Sequence, residues 1–383
     1  MLPVIIAKIK YQDRDAVLKL PCKDSRWRAE REWLTEDEDA RFYLSSVEPP
    51  GLAPLVGLEV NLDELNFLAK SMERFTDLEE AQFLGVLQIA KSPTLQDAIN
   101  LSFNLERFTV VQNVANLTQV GRDHYMNLHG GIVPGEVSDA ELAQVGRKLL
   151  ASGKGIPTGH GLLFENEEVP MRQAYDGTTF PPYLHKGDMV VMCTVDYGGK
   201  KEYLYLPEEE ISIQMALGRL DAPSLDECTV KVEEIAASHG EWLDWFSGIL
   251  EHEGLDVLNF LCETLSKDGM DWDKLTAVAH YAEVACGEDI EKLARHLDDF
   301  VFIKGNSCQT NADIGEYFTD HDPEYEVPPG LYDFIDFDAL GEYLREDRDG
   351  GFVAGGFVCM ENGCSLQHIL GETQQGMAMG GQL

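Results

Sequence analysis

The chain has 383 residues, 68 acidic and 30 basic, for a formal charge of −38. So negative a protein has no basic surface with which to hold phosphates, which excludes ordinary nucleic-acid binding. Disorder is excluded as well: 44% of residues are hydrophobic and 9% aromatic, enough to bury the cores of two domains of ordinary size.

In chain order, Met1 to Lys10 carries a short apolar run without a basic flank, a long apolar region or a small-residue cleavage site. Nowhere does the chain hold the roughly 18 successive uncharged apolar residues of a membrane span, so a cytoplasmic protein is expected. Pro3 to Tyr11 alternates β-branched residues, turns at Gln12-Asp13-Arg14 and continues to Leu20-Pro21, which predicts a β-hairpin. Asn66-Phe67-Leu68, the run Leu105 to Val111, and the segments Gln119 to Tyr125 and Gln144 to Leu149 follow. Asp176 to Pro182 is rich in turn formers and marks a connector.

From Met189 the series returns. Met189 to Tyr197, Gly198-Gly199 and the stretch to Leu206-Pro207 predict a second hairpin; Asn259-Phe260-Leu261 matches Asn66-Phe67-Leu68; Leu297 to Ile303 matches Leu105 to Val111. Asp313 to Phe318 and Ala339 to Leu344 match the paired segments containing Val120-Gly121-Arg122 and Val145-Gly146-Arg147, and the offset drifts only from 186 to 195. Trp242 to Leu265 has apolar residues at helical spacing interrupted at Gly254, with Trp242, Trp245 and Phe246 as core. Asp271 to Cys286 predicts another helix, capped by Asp271 and ended by Gly287, and Glu288 to Asp298 a third. Periodicity does not decide whether Phe300 to Ile303 is an edge strand or a tertiary anchor. The last 25 residues carry only two charges and suggest a flexible tail.

The expected fold class is therefore α+β, an elongated tandem of two diverged copies. Each copy has short N-terminal β-strands followed by small helical subdomains. The expected boundaries are 1–164 for a near-neutral N-terminal copy, 165–188 for the connector, 189–358 for an acidic C-terminal copy and 359–383 for the tail. Residues 1–164 hold 23 acidic and 17 basic side chains, whereas 189–358 hold 38 and 11, a net of −27. Charge that differs at matching positions, Arg122 against Glu316 and Arg147 against Glu342, leaves the core alone and changes what the surface binds.

Duplex DNA presents one charge per about 1.7 Å of axis, so 27 charges match roughly 46 Å of it. On a helix, carboxylates at i, i+3 and i+4 recur about every 4.5 to 6 Å, and two such rows approach the density of two phosphate strands. The candidate acidic surface is Glu263, Asp268, Asp271 and Asp273, then Glu288, Asp289, Glu291, Asp298 and Asp299, then Asp313 and Glu316. The loop acids Asp320, Asp322, Glu324 and Glu326, and Asp333, Asp336, Asp338 and Glu342 among Tyr332, Phe334 and Phe337, extend it. The alternative is a merely solvated acidic face.

Glu241 to Trp245, Asp289 to Leu293, Ile314 to Phe318 and Ile335 to Leu344 (IDFDALGEYL) resemble the ArdA antirestriction proteins, over most of 189–358. Val60 to Ala69 and Ala151 to Pro157 resemble the N-terminal extension of longer ArdA-like proteins of mobile elements. The resemblance implies a dimeric α+β protein whose carboxylates imitate bent B-DNA. Such a protein occupies the DNA groove of type I restriction-modification enzymes and protects a plasmid, transposon or phage. The doubled length departs from the compact family pattern and leaves open whether the copies replace two subunits or add to a dimer.

No catalytic residue, metal or cofactor is expected. The loop from Asp320 has Tyr325 where an EF-hand needs Gly and Leu331 where it needs a bidentate Glu. His252-Glu253 lacks the second His of a zincin, and Gly153-Lys154-Gly155 lacks the P-loop's other residues. Eight cysteines occur without a CxxC pair, and Cys359, Cys364 and His368 make a weak metal set. The expected partner is a type I enzyme or another DNA-binding defence complex, with no direct nucleic acid and no membrane. The alternatives are an acidic protein–protein interaction module without DNA mimicry and, last, a metal-dependent hydrolase.

Overall fold

The computed structural model describes the chain except residues 1–3, 38–39, 132, 136, 184–188, 237–239, 268, 306–307, 362–363 and 372–383. It is a mixed α/β structure with four small sheets among the described residues, in two compact units. One comprises Met1–Gly187, Val195–Tyr203 and Glu209–Thr229; the other comprises Asp188–Thr194, Leu204–Glu208 and Val230–Leu383. The units therefore do not follow the boundary expected at 188/189, because one end of the second hairpin and the helix after it are counted with the first.

In the first unit, β1 (Ile5–Tyr11) and β2 (Arg14–Leu20) form the expected hairpin, with Ile5 opposite Leu20 and Gln12 at a left-handed φ of 53° in the turn. Ile5, Ala7 and Ile9 are buried in alternation with less buried neighbours, as a sheet with one core face requires. After α1 (Asp24–Leu34), β3 (Phe42–Glu48) pairs antiparallel with β1, and β4 (Glu59–Val60) completes the order β2-β1-β3-β4. Helices α2 (Leu62–Met72), α3 (Asp77–Ile89) and α4 (Leu95–Ser102) share one apolar core with the sheet. Asn61 caps α2, and capping boxes Thr76/Glu79 and Thr94/Asp97 start the others. Asn66 fixes α2 to the hairpin's exit: its Oδ1 accepts the Cys22 N–H at 3.0 Å and its Nδ2 donates to the Cys22 carbonyl at 3.0 Å. Next come β5 (Phe108–Val111), helices α5 (Leu117–Leu128) and α6 (Asp139–Ala151), and strands β6 (Ile156–Thr158) and β7 (Gly161–Glu165), in the sheet order β5-β7-β6.

The segment expected as a connector packs on this unit's core. Asn100 bonds both backbone groups of Tyr175, at 2.8 and 2.9 Å, and Asn104 both of Arg172, at 2.8 and 2.7 Å. Phe180 stacks between Tyr175 and Phe67, with centroids 5.0 and 4.5 Å away. Aromatic rings and two amides sized to bridge extended backbone hold the chain down here, so 165 does not open a free linker.

Then follow β8 (Val191–Tyr197), β9 (Lys200–Leu206), α7 (Glu210–Leu220) and β10 (Thr229–Ile235), with sheet order β10-β8-β9. In the second unit, Asn259 accepts the Glu208 N–H at 2.8 Å and donates to the Glu208 carbonyl at 2.9 Å, the same arrangement as Asn66 with Cys22. The expected break at Gly254 separates α8 (Glu241–His252) from α9 (Leu255–Leu265), with Gly254 at φ 92°. Trp242 and Phe246 are fully buried, and the Trp242 indole donates to Thr276 at 2.9 Å. Asp271 does cap α10 (Trp272–Ala282), but the helix stops four residues short of Cys286. Glu283 ends it in the left-handed region, and Gly287 instead starts α11 (Gly287–Arg295), where a Cβ would meet a Val257 methyl at 2.7 Å.

Phe300 to Ile303 lies in an edge strand, β11 (Phe300–Lys304), followed by α12 (Asn311–His321), α13 (Phe337–Asp347), β12 (Gly351–Val353) and β13 (Gly356–Met360) in the order β11-β13-β12. The tail boundary at 358/359 also falls inside structure. Cys359 and Met360 finish β13, α14 (Leu366–Gly371) buries Ile369, and Lys292 donates to the Leu370 carbonyl at 3.2 Å. The expected tail from residue 372 on lies outside the described residues.

Candidate functional site: an acidic helical pair

Helices α12 and α13 cross backbone to backbone. A Cβ on Gly341 would stand 1.7 Å from the Asn311 carbonyl oxygen, and one on Gly315 would stand 2.2 Å from that of Phe337. Only glycine permits such an approach. Thr310 and Asp313 form the capping box of α12, and Asp336 caps α13 through the Ala339 N–H at 3.1 Å. Ile314 and Phe318 of α12 and Leu344 of α13 pack with Ile303, Phe357 and Cys359 of the sheet. Below them the Arg348 guanidinium lies over the rings of Phe318 and Tyr325, 4.5 and 5.7 Å from the centroids, and donates to Asp322 at 2.6 Å.

With the apolar residues committed inward, the outer face is left to the acids. On α12, Glu316 and Asp320 are exposed; on α13, Asp338 and Glu342; between the helices, Glu324, Glu326 and Asp333. Among the described residues none of these seven forms an ion pair with a basic side chain. Residues 311–347 hold 12 acidic side chains and one basic, Arg345. Sequence reasoning missed Glu346 and Asp347, both exposed; continuing the α13 spacing four residues beyond Glu342 would have found the first. Three apolar side chains share the region: Leu331 is 54% exposed, Phe334 82% and Tyr343 54%. Burial and then the nearby carboxylates of Asp320 and Glu316 raise the Tyr332 hydroxyl above the ordinary tyrosine value, and Asp347 raises that of Tyr343.

The other candidates divide by what their carboxylates already do. Asp313 is occupied by its cap, whose hydrogen bonds from Thr310 and Gln309 hold it below the usual aspartate range. Asp322 accepts from the Glu324 N–H at 3.0 Å with one oxygen and from Arg348 with the other, so it is not part of an open cation loop. Asp271 is a cap, Asp273 pairs with Lys304, Glu288 and Asp289 pair with Lys292 at 2.9 and 3.4 Å, and Asp299 bonds His296 at 2.8 Å. Glu291 corrects the expectation outright: only 6% exposed, it pairs with Arg295 and accepts from the Thr264 hydroxyl at 3.0 Å. Its place on the inner face of α11 makes it a structural group, absent from any mimicking surface. Glu263 and Asp298 are exposed but lie on other elements, and Asp268 lies outside the described residues.

In the first unit, α5 and α6 make a similar crossing without the acidic surface. Gly121 and Gly146 would place a Cβ 1.7 and 2.2 Å from the Leu142 and Leu117 carbonyls, yet residues 117–151 hold four acidic and three basic side chains. Elsewhere, burial pushes the Cys359 thiol up to about 12, and no three His, Cys, Asp or Glu side chains converge as metal ligands among the described residues. No family model matches the chain, and no curated protein matches it.

Proposed function

We propose that the chain is a DNA mimic of the ArdA kind, an antirestriction protein that occupies the DNA groove of a type I restriction-modification enzyme and performs no chemistry itself. The observation that carries this reading is the α12–α13 face, where exposed carboxylates stand without basic partners on two helices fixed by a backbone crossing. Residues 311–347 as a whole carry a net charge of −11 (12 acids less Arg345), that of roughly 19 Å of duplex, about half a turn. The reading includes two diverged copies in one chain. Support comes from the matching orders β2-β1-β3 and β9-β8-β10, β5-β7-β6 and β11-β13-β12, the two asparagine clasps and the two glycine crossings. The partner would be met in the cytoplasm. Among the described residues no helix is long and apolar enough to cross a membrane.

Competition between the purified protein and labelled duplex for a type I enzyme is the direct test: the protein should displace the DNA. Undiminished DNA binding at saturating protein would sink the proposal. Phe334, Leu331 and Tyr343 favour a second reading, an interaction module that docks through an apolar patch while its acids serve solubility. In that case Phe334→Ala abolishes binding to the partner and added salt leaves binding unchanged.

A further inference from the structure

Arg348 has no counterpart in the first unit. It is the C-cap of α13, followed by Asp349 at φ 45°; the C-cap of α6 is Ser152, followed by Gly153 at φ 66°. In the second unit the guanidinium fills the space beside Phe318 of α12 and Cys359 of β13, tied to Asp322. The residues at the matching places in the first unit, His124 of α5 and Phe164 of β7, line an open cavity of about 530 Å³ together with Ser152, Tyr125 and Glu168. That volume lies within the range of small-ligand sites.

We propose that this cavity is a vacated guanidinium socket that takes an arginine side chain presented by a partner protein. The chemistry of the walls fits a flat cation. The Tyr125 ring, which lies against the His129 ring with centroids 4.1 Å apart, lines the cavity and supplies the kind of aromatic surface that suits a guanidinium better than an ammonium. Burial lowers the pKa of His124, so at neutral pH the imidazole adds no charge against a cation. Glu165 and Glu167 are engaged by Arg107 and Lys154, whereas Glu168 forms no ion pair among the described residues and is the carboxylate left for the ligand. Lys148 on the rim opposes a cation, so its removal should tighten binding. The inference rests on reading the two halves as related and is independent of DNA mimicry.

The test uses the full chain and two small probes, N-acetyl-arginine amide and N-acetyl-lysine amide, followed by saturation-transfer NMR and thermal unfolding. The arginine probe should bind about tenfold tighter than the lysine probe, Lys148→Gln should strengthen it, and Ser152→Arg should abolish it while raising the Tm. Equal binding of both probes, no binding, or binding retained in Ser152→Arg overturns the proposal. Should Ser152→Arg fail to fold, the surface change Glu168→Gln takes its place and must weaken the arginine probe. Arg348→Ser separates the premise from the proposal: its Tm should fall and the arginine probe should restore it. If it does not, the correspondence of the halves fails and the socket with it.

Discussion

At the residue scale, identical side chains have different duties according to whether a neighbour already uses their charge. Glu291 and Glu342 read alike in the sequence, yet one is buried against Arg295 and Thr264 and the other is exposed on α13. Sequence spacing identifies which acids share a helix; it cannot show which face an adjacent helix covers, and Glu291 lies on the covered face. Glu291→Ala is expected to cost about 1–3 kcal/mol in urea unfolding, since it leaves a buried hydroxyl and a guanidinium without their acceptor. Under the proposed mimicry, competition with DNA by the folded variant should be unchanged, whereas Glu342→Gln should leave stability alone. Asp313 gives a pH prediction. Its folded pKa is depressed by capping bonds, so its stabilising contribution is complete above the ordinary aspartate value of about 3.9 and is lost as pH falls through the lower folded value. An NMR titration of Asp313 should show this, and Thr310→Val should move its midpoint back up.

At the scale of elements, the sequence was most informative where a local rule acts alone. Both hairpins, the break at Gly254 and the cap at Asp271 follow from alternation, a glycine and an N-cap. It was least informative where tertiary contacts decide: the early stop of α10, the packed segment after β7 and the helix beyond β13. A left-handed Glu283 sets the first, aromatic stacking and amide bridges the second, and burial of Ile369 the third, and none of these has a period. The glycine crossings were visible as matching Val-Gly-Arg and Ile-Gly-Glu segments, but not as contacts. Gly341→Ala should destabilise the second unit by about 1–3 kcal/mol, because a methyl group meets a carbonyl that cannot retreat without parting the helices. Hydrogen exchange localised to α12 and α13 would report it; an unperturbed pair would contradict the geometry. Asn66→Ala and Asn259→Ala should each cost about 1–3 kcal/mol, by stranding a backbone N–H and a carbonyl.

For the whole molecule, the opening charge is unevenly spread, since residues 311–347 hold 12 acidic side chains against one basic, while other carboxylates cap helices or pair with Lys and Arg. If the proposed mimicry holds, affinity for a type I enzyme should fall by about a hundredfold or more between 50 and 200 mM salt. Neutralising Glu316, Asp320, Asp338 and Glu342 together should weaken inhibition far more than any one of them. A single change with the effect of the block would indicate a focal contact instead. The crossing of α12 and α13 bears on how such a surface arises. A joint made of glycine and main-chain atoms asks nothing of the side chains on the outer faces, so those faces are free to change composition without loosening the joint. Arg122 and Arg147 follow the glycines of one such joint, and Glu316 and Glu342 those of the other. The same fastening can thus carry a near-neutral surface in one unit and a strongly acidic one in the other, so the outer faces can be rewritten while what holds the pair together stays intact.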